Sequence, residues 1–157
     1  MESRGLELRE PIVSDFEPIF SIMQDPVANE MSMVNSRTRE AFRTQWEQRF
    51  DDQAACVLRT IVLDGEVVGR VNSFPSGDEI HVGYRIARSH WGGGIMSEVL
   101  RRFLALVEHR PLYARAAKSN VGSWRVLEKN GFELIDEYES PETDRYRACV
   151  EVKYELR

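Results

Sequence analysis

The polarity of the chain changes period along its length, and each period predicts an element. Leu6-Glu7-Leu8-Arg9 alternates apolar and polar residues, which predicts a first strand ended by Pro11. Ser14-Asp15 then opens a helical pattern in which Phe16, Ile19, Phe20 and Met23 share one face, and Asp25-Pro26 ends it. From Pro26 to Arg37 no period is clear, although Met31, Met33 and Val34 are apolar. Ser36 or Thr38 can cap a second helix through about Phe50, with Phe42, Trp46 and Phe50 along one side.

Beyond Asp51-Asp52-Gln53 the period drops to two. Cys56 to Leu63 reads as a strand, Asp64-Gly65 as a tight hairpin turn, and Glu66 to Phe74 as the partner strand. Pro75-Ser76-Gly77-Asp78 predicts the next turn, and Glu79 to Ile86 the third strand of an antiparallel meander. Gly92-Gly93-Gly94 then precedes an amphipathic run from Ile95 to Val107, a helix stopped by Pro111. Leu112 to Ala116 reads as a short strand, and Asn120 opens a short helix that Asn130-Gly131 closes. Phe132 to Tyr138 and Arg145 to Leu156 form two last strands around a polar turn. No repeat, linker or low-complexity segment interrupts the pattern. The expectation is one α+β domain spanning residues 1–157.

Composition changes this picture little. A chain of 157 residues can bury a core, and 42% hydrophobic with 30% charged residues is the balance of a soluble globular protein. A net charge of −5 argues against non-specific binding of nucleic acid. The apolar runs are far shorter than a membrane span, and the Met1-Glu2-Ser3-Arg4 start lacks the apolar centre of a secretion signal. A cytoplasmic protein without membrane attachment is therefore expected. Cys56 and Cys149 fall in strand-like runs without metal-type neighbours, so two buried, reduced thiols and no metal are expected.

The glycine triplet carries the first chemical signal. Glycines between a strand and a helix let the backbone lie against a ligand, and the first helical turn offers unpaired N–H groups and a positive dipole end. Together they make a seat for phosphate or pyrophosphate. A Walker A loop is excluded, because Gly94-Ile95-Met96 supplies neither its lysine nor its hydroxyl. A dinucleotide fingerprint fits poorly, because Ser97 stands at the third glycine and an antiparallel meander comes before the loop. A glycine-rich turn without a ligand is the remaining alternative.

Val82-Gly83-Tyr84 before the loop, Trp91-Gly92-Gly93-Gly94-Ile95 within it, and Ser97-Glu98-Val99-Leu100 after it resemble the GCN5-related N-acetyltransferases. Asn120-Val121-Gly122-Ser123 followed by Leu127-Glu128-Lys129-Asn130-Gly131-Phe132 is similar to that family's later segment. The resemblance is sharp over residues 79–134. Leu8-Arg9-Glu10-Pro11, Asp15 and Asp25-Pro26 extend it towards the branch that acetylates ribosomal-protein N-terminal alanine and serine.

The resemblance implies a mixed, mostly antiparallel sheet of six or seven strands, flanked by about four helices. It also implies a splay between the strands near 79–86 and 112–116, with acetyl-CoA as cosubstrate lying in that splay. Val82, Tyr84 and Ile86 would line the pantetheine arm. Trp91, Gly92, Gly93, Gly94 and Ile95 would surround the pyrophosphate, and Asn120 and Ser123 would meet the pantetheine amide and the sulfur. The family's Gln or Arg before the loop is Ser89 here, and Arg88 is the substitute cation. The activity implied is transfer of an acetyl group to a primary amine, on a protein N-terminus or a small molecule, by direct attack in a ternary complex. A non-catalytic acyl-CoA sensor on the same fold is the alternative, and a monomer or a homodimer would serve either.

Strand alternation puts Glu79, His81, Gly83 and Arg85 on one face. The family commonly has Glu where His81 stands. An imidazole with a pKa of about 6.5 suits the removal of a proton from the attacking amine. His81 is the first candidate base, Glu79 the second, and Ser123 the candidate acid for the leaving thiolate. The acceptor is expected to contact residues 26–38 and the turn from Pro141 to Asp144, where Glu30, Glu142 and Asp144 could attract a cationic amine.

Overall fold

The computed structural model describes residues 5–51 and 57–157, apart from the side chains of 49–51. The expectations placed on Cys56 and on the Phe50 side chain lie outside the described residues.

The first half contains β1 (Leu6–Arg9), α1 (Phe16–Met23), α2 (Pro26–Ser32), α3 (Arg39–Asp51), β2 (Val57–Leu63), β3 (Glu66–Ser76) and β4 (Glu79–Ile86). The second contains α4 (Ile95–Leu106), β5 (Leu112–Ala117), α5 (Val121–Lys129), β6 (Glu133–Ser140) and β7 (Cys149–Leu156). Among the described residues these strands form a seven-stranded sheet in the order β1-β2-β3-β4-β5-β7-β6. Neighbours are antiparallel except β4 and β5, whose parallel pairing is confined to His81 opposite Tyr113. Beyond that pair the two strands diverge, as the resemblance implied.

Both faces are covered, by different means. On one, α4 and α5 press Val99, Leu100, Phe103 and Leu127 onto Val71, Val82, Ile86, Leu112 and Ala114. On the other, Phe16, Ile19, Met23, Phe42 and Trp46 from α1 and α3 pack on Leu58. That face also buries charge. The Arg9 guanidinium donates to both carboxylate oxygens of Asp15 at 2.7 and 2.9 Å, and the Thr60 hydroxyl and the Ile12 N–H add bonds of 2.8 and 3.0 Å. Burial, the largest single influence, pushes the Asp15 pKa up, but these bonds together outweigh it and hold the carboxyl below its ordinary value. One carboxylate thus ties β1, β2 and the start of α1 together.

Four expectations need correction. The stretch after Asp25 contains α2, capped by the Asp25 carboxylate accepting the Val27 N–H at 3.1 Å, with Pro26 in its first turn. Seven residues are too few to show a period, so α1 and α2 meet at a boundary read as a single helix end, and the flanking helices number five among the described residues. Pro75 belongs to β3, opposite Ile80, and the turn shortens to Gly77-Asp78. The last strand starts at Cys149, because Tyr146 leaves the β6–β7 connection to form a bridge with Val34. Cys149, unpaired at the start of β7, is half-buried and not fully buried. The second helix keeps its predicted cap: Thr38 Oγ1 accepts the Ala41 N–H at 3.1 Å.

Candidate active site

The divergence of β4 from β5 opens into a cleft of about 410 Å³. One wall is made by Gly92, Gly94, Ile95, Met96 and Ser97 at the start of α4, and by Asn120, Ser123, Arg125, Val126 and Lys129 on and before α5. Tyr84, Arg85 and Ile86 from the end of β4 line its floor, and Ala28, Met31 and Ser32 from α2 close the far side.

The glycine loop is shaped for an anion. Gly94 caps α4 at φ 79° and Gly92 sits at φ 83°, conformations that a side chain disfavours. A Cβ at either position would meet open space, so the glycines serve the backbone path and leave the surface above it clear. Among the described residues no side chain caps α4, which leaves its first N–H groups without a side-chain acceptor. Trp91 pins the loop by donating its indole N–H to the Ile86 carbonyl at 3.0 Å. Asn130 joins α5 to α4 through the Ser97 and Val126 carbonyls at 3.2 and 3.0 Å. Gly93, Arg101 and Lys129 border a second depression of about 250 Å³ on the other side of the loop.

The remaining sequence candidates divide by position. Tyr84, Ile86, Trp91, Gly92, Gly94, Ile95, Asn120 and Ser123 line the cleft; Glu79, His81, Val82 and Arg88 do not. Arg88 instead pairs with Asp25 at 3.3 Å. The cations on the loop's wall are Arg125 and Lys129, which sequence reasoning missed. Their signal was the spacing Gly122, Arg125, Val126, Lys129, one face of a short helix. Asn120 precedes α5 without capping it through its side chain, which leaves the amide to the cleft.

Two polar groupings flank the opening. The Tyr84 hydroxyl donates to the Ser123 carbonyl at 2.8 Å and lies 3.3 Å from Ser123 Oγ. Burial pushes the Tyr84 pKa well up, so the phenol keeps its proton. On the opposite face of β4, His81 is only 3% exposed, between the rings of Phe74 and Tyr113 at 5.9 and 5.8 Å. Its Nε2 lies 3.0 Å from Glu79 Oε1, and both Glu79 oxygens accept from Lys153 Nζ at 2.8 Å. Lys153 first, then His81, hold the Glu79 carboxyl below its ordinary value. An ionised carboxylate can only accept, so Nε2 carries the ring proton and Nδ1 is the basic nitrogen. Burial lowers the His81 pKa, against the pull of Glu79, and keeps the ring neutral at pH 7.

A strand pair that parts beside a glycine-capped helix is the arrangement that the sequence resemblance implied. The family model for the acetyltransferase (GNAT) domain matches residues 5–133, and the chain belongs to that family. None of the curated proteins is a significant match by sequence. Among solved structures, a ribosomal-protein-alanine N-acetyltransferase from Brucella melitensis superposes with a TM-score of 0.80 at 19% identity, over 96% of this chain and 98% of that one. An N-acetyltransferase from Staphylococcus aureus Mu50 gives 0.80 at 20% identity, over 96% and 97%. Spermidine N-acetyltransferase from Vibrio cholerae, in complex with CoA and spermine, gives 0.79 at 14% identity, over 97% and 95%. These likenesses establish the fold.

Proposed function

We propose that this protein is an acetyl-CoA-dependent N-acetyltransferase acting on a primary amine, in the branch that includes the ribosomal-protein N-acetyltransferases. The observation that carries this reading is the cleft itself, which runs from an uncapped helix N-terminus past the end of β4 to the Tyr84–Ser123 contact, with the His81–Glu79 pair on the opposite face of the same strand.

The residues present fit coenzyme A. The N–H groups at Gly92, Gly93, Gly94 and the first turn of α4 would receive the pyrophosphate, with Arg125 and Lys129 supplying positive charge that Arg88, bound to Asp25, does not. Tyr84, Ile86 and Ile95 give an apolar bed for the pantetheine arm, and the Asn120 amide is a partner for its amides. Acetyl-CoA supplies a thioester carbonyl carbon, which bonds to the amine nitrogen as the thiol departs.

Each protein group then has a defined task. Among the described residues the β5-facing edge of β4 has no ladder partner past the His81–Tyr113 pair, so the Tyr84 N–H is the group we assign to stabilising a developing oxyanion. His81 receives the amine proton at Nδ1, while Glu79 orients the ring and keeps it basic. Ser123 Oγ is the proton donor to the leaving sulfur, and Tyr84 holds the first turn of α5 in place through the Ser123 carbonyl.

Thiol release from acetyl-CoA, followed across amines and peptide N-termini, tests the activity. Release with at least one acceptor is expected, together with an acetyl-CoA-dependent rise in Tm. Absence of both would remove the reading. His81→Ala should lower kcat by ~10²–10⁴-fold and leave acetyl-CoA affinity unchanged. An unchanged kcat would take His81 out of the mechanism.

A further inference from the structure

Three arginines, Arg37, Arg85 and Arg145, meet at the α2 side of the cleft, near enough for their charges to repel. Arg85, on β4, lines the cleft and donates to Asn29 Oδ1 at 3.0 Å. Asn29 in turn donates to the Met23 carbonyl and the Ser36 hydroxyl at 3.1 and 3.2 Å, so its own position is fixed. Arg145 comes from the distant β6–β7 connection, and its guanidinium donates to the Asn35 carbonyl. The two segments are laced together: the Asn35 N–H donates to the Arg145 carbonyl at 2.7 Å, the Arg147 N–H to the Met33 carbonyl at 2.8 Å, and Val34 bridges Tyr146. Arg37 stands two residues beyond Asn35, and its carbonyl accepts from Gln24 at 2.9 Å.

The three side chains are half-buried and carry like charge. Burial lowers the pKa of Arg37, Arg85 and Arg145, and Arg145 is brought down to about 10 by burial and then by the like charges of Arg37 and Arg85. Among the described residues, the one carboxylate acting on any of the three is Asp25 on Arg85, and Asp25 is itself held by Arg88. Arg145 Nε is buried with no hydrogen-bond acceptor. Buried N–H groups are normally bonded, and cations held together out of water draw an anion. Guanidinium forks match the oxygens of carboxylate and phosphate.

We infer that Arg37, Arg85 and Arg145 form an oxyanion-binding site beside the cleft, so that the acceptor is an amine carrying a carboxylate or phosphate group. This acceptor differs from the cationic amine that Glu30, Glu142 and Asp144 could attract. The acceptor half of this statement rests on the acetyltransferase reading; the anion site does not.

The test offers CoA-saturated protein inorganic phosphate or acetate by calorimetry, and offers acetyl-CoA-loaded protein amines matched in all but one group: carboxylate, phosphate ester or neutral amide. Phosphate or acetate should bind the wild type and lose about ten-fold in affinity in Arg37→Gln, whose guanidinium donates no hydrogen bond to a described residue. Amines with the preferred anion should show a KM about ten-fold below the amide, and Arg37→Gln should bring that ratio towards one. The stronger of the carboxylate and phosphate arms identifies the group. Arg85→Gln, on a different element, gives the same read-out should Arg37→Gln not fold. Equal KM values, or a preference for neutral or cationic amines, would overturn the anionic acceptor. Phosphate or acetate binding that Arg37→Gln abolishes, with no amine acetylated, would keep the anion site and sink the acetyltransferase reading.

Discussion

The two faces of the sheet around the β4–β5 opening are built from different materials. The face under α4 and α5 is apolar, with Val71, Val82, Ile86, Val99, Leu100 and Phe103 interlocked. The face under α1, α2 and α3 buries polar groups: Thr60, Arg70, Asn72 and His81 on the strands, and Asp15 and Asn29 on the elements above them. An apolar face needs matched volume and period. A polar one needs each donor and acceptor met, and many of those partners lie far away in sequence, as with Thr60 and Asp15 or Arg145 and Asn35. The proposed donor site sits against the first face and the proposed acceptor site against the second. One is written in local sequence, the other assembled by the fold.

Truncating the apolar face should have the largest effect. Phe103 is fully buried, and Phe103→Ala should cost about 4 kcal/mol, or roughly 10 °C in Tm by thermal denaturation. A loss below about 1 kcal/mol would mean the α4 layer can collapse, and the contrast between faces would weaken. On the polar face, Asp15→Ala strands the Arg9 guanidinium, the Thr60 hydroxyl and the Ile12 N–H, and should cost about 3 kcal/mol. Because the folded Asp15 pKa is depressed, its stabilisation is present above the unfolded value of about 4 and is lost as pH falls through the folded one. Acid titration of unfolding free energy should therefore be shallower below about pH 4 in Asp15→Ala than in the wild type. Parallel curves would show that another carboxylate carries the acid dependence.

Gly94→Val probes the donor side alone. Space is available, so the penalty comes from holding a β-branched residue at φ 79°, about 1–3 kcal/mol. Acetyl-CoA affinity should fall by roughly ten-fold or more while acceptor KM holds, since the strain falls on the loop that seats the pyrophosphate. An acceptor effect as large as the donor effect would mean the two walls are one unit.

The same contrast governs what could be read in the sequence. The meander, the glycine loop, α4 and α5 follow from periods of two and 3.6 and from turn residues, and the Asp64-Gly65 hairpin has positive φ at both positions as its type requires. The α2 helix was hidden because seven residues cannot show a period, although Asp25-Pro26 is a cap followed by a first-turn proline. Arg88 looked like the loop's cation because it is next to the loop in sequence, yet it turns to Asp25, and the charges on the wall come from Arg125 and Lys129, more than thirty residues on. The arginine cluster left no sequence signal. Its members come from three separated segments, which the register of Val34 with Tyr146 and the Arg85–Asn29 hydrogen bond bring together.

The smallest effect, and the sharpest for the polar face, concerns the acid limb of kcat. Burial sets the His81 pKa below its ordinary 6.5, and the charges around the ring act in opposite senses: the Glu79 hydrogen bond raises it, while Arg115 and Lys153 lower it. If His81 must be neutral to accept the amine proton, kcat falls as pH drops through the His81 pKa. Glu79→Gln removes the raising influence, so the limb should move to lower pH. Lys153→Met removes a lowering one and leaves the Glu79 carboxylate beside the ring, so the limb should move to higher pH. Loss of packing alone would lower kcat at every pH and shift neither limb. Opposite shifts in the two variants, read from kcat–pH profiles at saturating acetyl-CoA, are the signature of an imidazole that titrates between these groups. Two limbs that stay in place would return His81 to the role of a buried, bonded core residue.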